Sequence, residues 1–159
     1  MKKILLGILY WIVQLTWGGL LTIPGLLITG FAILFLGGTP HRNGFSYIVE
    51  VGGNWGGIDI GCVSMCGRYN TQEASCYNPN YYEHVRRHEF GHSIQQLILG
   101  PFQLFVVGIP SVVRYWYFTL SDKVHKPYDY IWFEYTASKW GTAWINKLEN
   151  ADYPYNYER

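Results

Sequence analysis

From Ile4 to Gly38 the chain runs for 35 residues without an Asp, Glu, Lys, Arg or His, and Gln14 is the only strongly polar residue among them. About 20 apolar helical residues cross a bilayer core, so the stretch predicts a membrane anchor over 1–38. A cleaved signal peptide is the rival reading, because Lys2-Lys3 precedes an apolar run. Signal cores reach only about 15 residues, however, and no small-x-small cleavage site follows at that distance. As one helix the stretch would measure about 50 Å, against a hydrocarbon core of about 30 Å. It must therefore tilt, kink or lie along the interface, with Gly18-Gly19 and Pro24-Gly25 as break points. Lys2-Lys3 set against Arg42 favours a cytoplasmic N-terminus.

The composition agrees with an integral-membrane protein. Only 14% of the 159 residues are charged, where about 25% is usual, and the 14 Tyr and 7 Trp suit a boundary between hydrocarbon and water. A net charge of +1, with no Lys/Arg run longer than two residues, argues against a nucleic-acid partner. Cys62, Cys66 and Cys76 are odd in number, and a CxxxC with one further Cys is a poor zinc-ribbon pattern.

Past the anchor, Thr39 to Gly44 reads as a loop. Phe45 to Val51 and Ile58 to Met65 read as two strands of one hairpin, joined by the glycine-rich segment 52–57. Asn78-Pro79 starts a helix and Gly100-Pro101 ends it. The apolar stretch Phe102–Phe118 is marginal for a span and reads as interfacial, re-entrant or packed under the helix before it. A last helix is expected from Pro127 to about Leu148. The fold class is α+β, mostly helical, with a small hairpin beside the central helix.

That central helix carries His88-Glu89-Phe90-Gly91-His92. Residues four apart share one helix face, so both imidazoles can reach one ion. Glu89 projects about 100° round from His88, where it can take a proton from a metal-bound water and return it to a leaving group. Zinc needs a third protein ligand and leaves its fourth position to water. Glu134 is the leading candidate, an acid set among Trp132, Phe133 and Tyr135, where a charge is costly unless paired or bound to metal. His125 and Asp129 are the fallbacks. Ala137, Ser138 and Gly141 lie on the face of Glu134 and would let the last helix approach the metal helix closely. His84 shares the face of the two histidines but is about 12 Å from His92 along a straight helix, too far to join them on one ion. Gln95 and Gln96 have substrate or a backbone carbonyl as candidate partners. Arg86-Arg87 reads as a solvated or headgroup-facing pair.

The HEFGH helix with a downstream glutamate resembles the zincin metallopeptidases, the gluzincin branch in particular. The stretch from Arg87 to Ser111 is also similar to one in uncharacterised small bacterial membrane proteins with an HExGHxxQ core. The resemblance implies His88, His92 and Glu134 as Zn2+ ligands, Glu89 as general base, and a reduced zincin-like domain over 39–159 in a bacterial cell membrane. Gluzincins usually carry Asp four residues after the ligand Glu, whereas Ser138 stands there in this chain. The site-2 proteases also carry HExGH, but their Asp-Gly ligand motif in a later span is absent.

The expected function is a membrane-anchored zinc metallopeptidase, with a peptide or small protein near the bilayer as substrate and membrane lipids as partners. The alternatives are a zinc hydrolase of a lipid or other amphipathic substrate, and a non-catalytic membrane protein with a structural metal site. A thiol-based redox role for Cys62 and Cys66 ranks below these.

Overall fold

The computed structural model describes residues 2–53, 55–68, 79–121 and 130–154. The fold is α+β and mostly helical. The uncharged N-terminal stretch forms two helices, α1 (Lys2–Thr16) and α2 (Gly19–Phe35), bent by 100° at the break between them. The bend falls at Gly18-Gly19, while Pro24 sits inside α2 without ending it. A Cβ on Gly18 would stand 2.7 Å from Gln96 Nε2 and 2.8 Å from Gln14 Oε1, so only glycine leaves room for those amides at the corner. At about 22 and 26 Å, neither arm matches a core of about 30 Å. Among the described residues no single helix is long and apolar enough to cross a membrane.

The sheet departs from the single hairpin expected. It has four strands in the order β1-β2-β4-β3, namely β1 (Thr39–Asn43), β2 (Ser46–Val51), β3 (Gly57–Ile60) and β4 (Val63–Gly67). β1 pairs antiparallel with β2 and β3 antiparallel with β4, while the central pair β2 and β4 runs parallel. Thus Thr39 to Asn43 is a strand rather than a loop, and the run from Ile58 to Met65 folds back on itself. Two glycines account for both differences. Asn43↔Ser46 and Ile60↔Val63 each close a two-residue loop whose first residue is a glycine at positive φ: +65° at Gly44 and +81° at Gly61. That conformation is easy for glycine and is the one tight hairpin loops need.

The metal-motif helix α3 (Pro79–Leu99) matches the expected span, and Gly100, at φ +53°, terminates it. A 310 turn (Gly100–Phe102) and a π-helical turn (Leu104–Gly108) follow, then α4 (Ile109–Leu120). The chain bends by 115° between α3 and these later turns. The last helix, α5 (Trp132–Glu149), starts after an extended Ile131; the predicted start at Pro127 lies outside the described residues, as do His125, Asp129 and Cys76.

Two buried clusters join the pieces. Tyr10 of α1, Cys62 in the β3–β4 turn, Val63 at the start of β4, Phe90 of α3 and Ile145 of α5 form one, and Ile48, Cys66, Tyr82 and Val85 form the other. The two bent pairs also meet at their corners, where Trp17 packs against Phe102 and Gln96 donates to the Gly18 carbonyl at 2.9 Å.

Candidate metal centre

α3 and α5 cross almost backbone to backbone. A Cβ on Gly91 would overlap the carbonyl of Ala137, and one on Gly141 would overlap the carbonyl of Arg87. The small-residue face expected on α5 is thus what the crossing requires, and Gly91 inside HEFGH is its counterpart on α3. The crossing is fastened at one end by Arg86 and Arg87, which are buried rather than facing solvent or headgroups. Arg86 donates to both oxygens of Glu149 at 3.0 and 2.8 Å and to Glu83 at 2.8 Å. Arg87 donates to Asn146 Oδ1 at 2.8 Å and lies over the Tyr153 ring.

This approach brings Glu134, in the first turn of α5, onto the two motif histidines. Glu134 Oε2 lies 3.1 Å from His88 Nε2 and 3.2 Å from His92 Nε2, and the two imidazole nitrogens are 3.0 Å apart. Ligands held tetrahedrally by zinc at about 2.0–2.1 Å stand about 3.3 Å from one another, close to these separations. Two Nε2 atoms in contact can share at most one proton, so the three lone pairs face a common point that is electrostatically unfavourable without a cation. Glu134 is completely buried, and its second oxygen has no hydrogen-bond partner. Burial alone would push this carboxyl up; His88 and His92 outweigh that and hold it well below the usual carboxylate range. His88, His92 and Glu134 form a buried group that could hold a metal ion.

The remaining imidazole nitrogens are fixed from behind. Ser138 Oγ lies 2.6 Å from His88 Nδ1, and Gln95 Oε1 lies 2.8 Å from His92 Nδ1. The Gln95 oxygen can only accept and so selects the His92 tautomer with its proton on Nδ1. The Ser138 hydroxyl can accept in the same way from His88 Nδ1, which turns both Nε2 atoms toward Glu134. Gln95 is itself tied by its Nε2 to the Phe133 carbonyl at 2.7 Å and Thr136 Oγ1 at 2.8 Å, so α5 orients both histidines. Ser138, four residues after Glu134, meets His88 with a neutral hydroxyl. His84 stacks on His88 with ring centroids 6.1 Å apart and stays outside the ligand group.

Glu89 is buried beside the three ligands, and its carboxylate rests on the sheet. A Cβ on Gly57 would overlap it, so the bare backbone of β3 makes the seat for this side chain. The site opens into a cleft of about 1050 Å³ whose lining includes Glu89, Asp59, Gln103 and Ile58. Burial, and then the Glu89 carboxylate, push the Asp59 carboxyl well above its ordinary value, while Ser64 donates to its Oδ1 at 2.9 Å. Gly57, Asp59 and Gln103 were not singled out by sequence reasoning; Gly57 and Asp59 lay in a run that showed only its glycines and its alternation. Cys62 and Cys66 are buried free thiols outside the metal group.

No family model, curated protein or solved structure matches the chain.

Proposed function

We propose that the chain is a membrane-embedded zinc peptidase with His88, His92 and Glu134 as ligands and Glu89 as general base. The observation that carries this reading is the convergence of three buried N and O donors, the two imidazoles each backed by a fixed partner, at the inner end of a cleft that also holds the Glu89 carboxylate. Three such ligands with a vacant fourth position are the donor set of a hydrolytic zinc site. Bound zinc would acidify a water and polarise the scissile carbonyl. Glu89 then takes one proton from the attacking water and delivers it to the leaving nitrogen, so that one water is consumed per bond cut. Ser138 and Gln95 keep the imidazoles oriented throughout.

Membrane embedding is supported by what the fold leaves uncovered. Large apolar side chains stand exposed along α1, α2, the π turn and α4, among them Leu27 at 70%, Leu34 at 76% and Leu120 at 77%. A continuous apolar surface on that scale calls for a partner, and bilayer lipid fits helices that carry almost no charge.

The test is metal content of the detergent-purified protein. Wild type is expected to hold about one zinc per chain, Glu134→Ala to lose it, and Glu89→Gln to keep it while peptide hydrolysis drops at least about 100-fold. A folded wild type that takes up no metal when zinc is supplied would refute the proposal.

A further inference from the structure

The cleft is divided by polarity in a way that bears on what it accepts. Its charged, imidazole and amide groups sit at the metal end: Asp59, Glu89, Gln103 and the histidines. The rest of its lining is mostly aliphatic and aromatic, with Ile58 and Ile60 from β3 and Leu104, Val107, Val112 and Trp116 from the π turn and α4, and with the hydroxyls of Ser111 and Thr119 among them. Val112 and Trp116 line the cleft and yet are 46% and 53% exposed, so this wall runs on into the uncovered apolar surface of α4. β3 is an edge strand of the sheet, so a peptide laid along the cleft could pair its main chain on that side only. Its remaining N–H and C=O groups would be desolvated against apolar side chains, each costing free energy unless paired. An aliphatic chain brings none.

The polar end carries a second indication. Gln103 is only 6% exposed; its Nε2 donates to the His92 carbonyl at 3.1 Å, and its Oε1 has no partner. A buried amide oxygen left open beside a metal ligand matches an incoming N–H donor. We propose that the bond cut at this site is an amide borne by a long-chain amphiphile, with the aliphatic chain lying along the cleft and the amide at the metal end. Hydrolysis adds one water across the C–N bond and releases a carboxylic acid and an amine, one of them carrying the chain. This rests on the zinc site and amide hydrolysis proposed above and differs from that reading in the substrate, a long-chain amide in place of a peptide.

The experiment uses the full-length protein in detergent, loaded with Co2+, whose visible bands report ligand exchange at the ion. Hydroxamic acids of increasing acyl length, from acetohydroxamate to dodecanohydroxamate, are titrated against wild type, Val112→Trp and Ile58→Trp in the same micelles. Acetohydroxamate should bind all three alike. In wild type the affinity should rise about fourfold for each methylene drawn from water until the cleft is filled. The two tryptophan variants, one filling it from α4 and one from β3, should lose at least about tenfold of that gain. If chain length improves binding no more in wild type than in both variants, micelle partition explains it and the inference falls while the metal site stands. If acetohydroxamate leaves the cobalt bands unchanged, the metal reading fails and takes this inference with it.

Discussion

Ser138→Ala removes one oxygen from the structure and isolates what the neutral backing of His88 contributes. The Ser138 hydroxyl is fully buried and lies 2.6 Å from Nδ1 of His88, itself 7% exposed. Water therefore has no ready route to replace it. Leaving a buried N–H without its acceptor costs about 1–3 kcal/mol. Loss of a partner behind a metal ligand typically weakens binding about 10- to 100-fold, or about 1.4–2.7 kcal/mol, so the two lines of reasoning agree. The assay is competition for zinc between the protein and a chelator of known affinity, with thermal unfolding of the metal-free forms run alongside. Ser138→Ala should weaken zinc by that factor with little change in the metal-free melt. Unchanged zinc affinity in a folded variant would show that Ser138 does not act through the metal. A loss as complete as that of Glu134→Ala would mean that Ser138 holds up the helix crossing instead.

Two further outcomes follow from the same site. Gly141→Ala sets helix propensity, which favours alanine by about 1 kcal/mol, against an overlap with the Arg87 carbonyl that an overpacked crossing resolves at about 1–3 kcal/mol or more. The overlap involves backbone and should win, lowering Tm by several degrees; a higher Tm would show that the helices are not in contact there. On acidification, zinc affinity should fall with a slope of about one decade per pH unit. Burial alone would lower the pKa of His92, but Glu134 outweighs that and holds it up to about 9. Zinc must therefore displace the one proton shared at the two Nε2 atoms, whereas Glu134 is held below the usual carboxylate range and stays ionised. Chelator competition across about pH 5 to 7 tests this, and a flat profile would exclude histidine ligation.

The site was legible because its chemistry follows helix periodicity. His88 and His92 share a face by arithmetic, Glu134 stood out as an acid among aromatics, and Ala137, Ser138 and Gly141 announced a close crossing. The partners that orient the ligands were less visible: Ser138 was named only as a small residue, and Gln95 had several candidate roles until Phe133 and Thr136 were placed beside it. The sheet was misread because alternation alone cannot distinguish one long strand from two that reverse at a glycine. Asn43-Gly44 and Ile60-Gly61 each carried the turn signal, but the six-residue segment 52–57, richer in glycine, drew the hairpin to the wrong place. That segment connects β2 to β3 and allows β2 and β4 to run parallel. Gly57 is a different kind of omission, since nothing in a sequence reveals that a missing side chain makes room for Glu89.

The two N-terminal helices pack into the same fold as the candidate metal centre. Polar residues are scarce in α1 and α2, and the buried Gln14 and Thr22 both meet α3. Gln14, fully buried, donates to the Ser93 carbonyl at 2.7 Å, one residue past His92. Its Oε1 lies 3.5 Å from Thr22 Oγ1 across the bend, next to where Gln96 donates to Gly18. Tyr10 packs with Phe90, the residue between Glu89 and Gly91. An anchor that merely tethered a separate domain would need none of these contacts. Deleting residues 2–38 should therefore expose Phe90, leave Gln96 without its partners, and abolish stoichiometric zinc binding by the remaining fragment. Gln14→Leu in the full chain is the milder version, expected to cost about 1–3 kcal/mol through unsatisfied buried groups while the metal site survives. Zinc content and chelator competition on the purified fragment decide the matter: wild-type affinity in a soluble, folded 39–159 fragment would show that α1 and α2 only moor the metal domain.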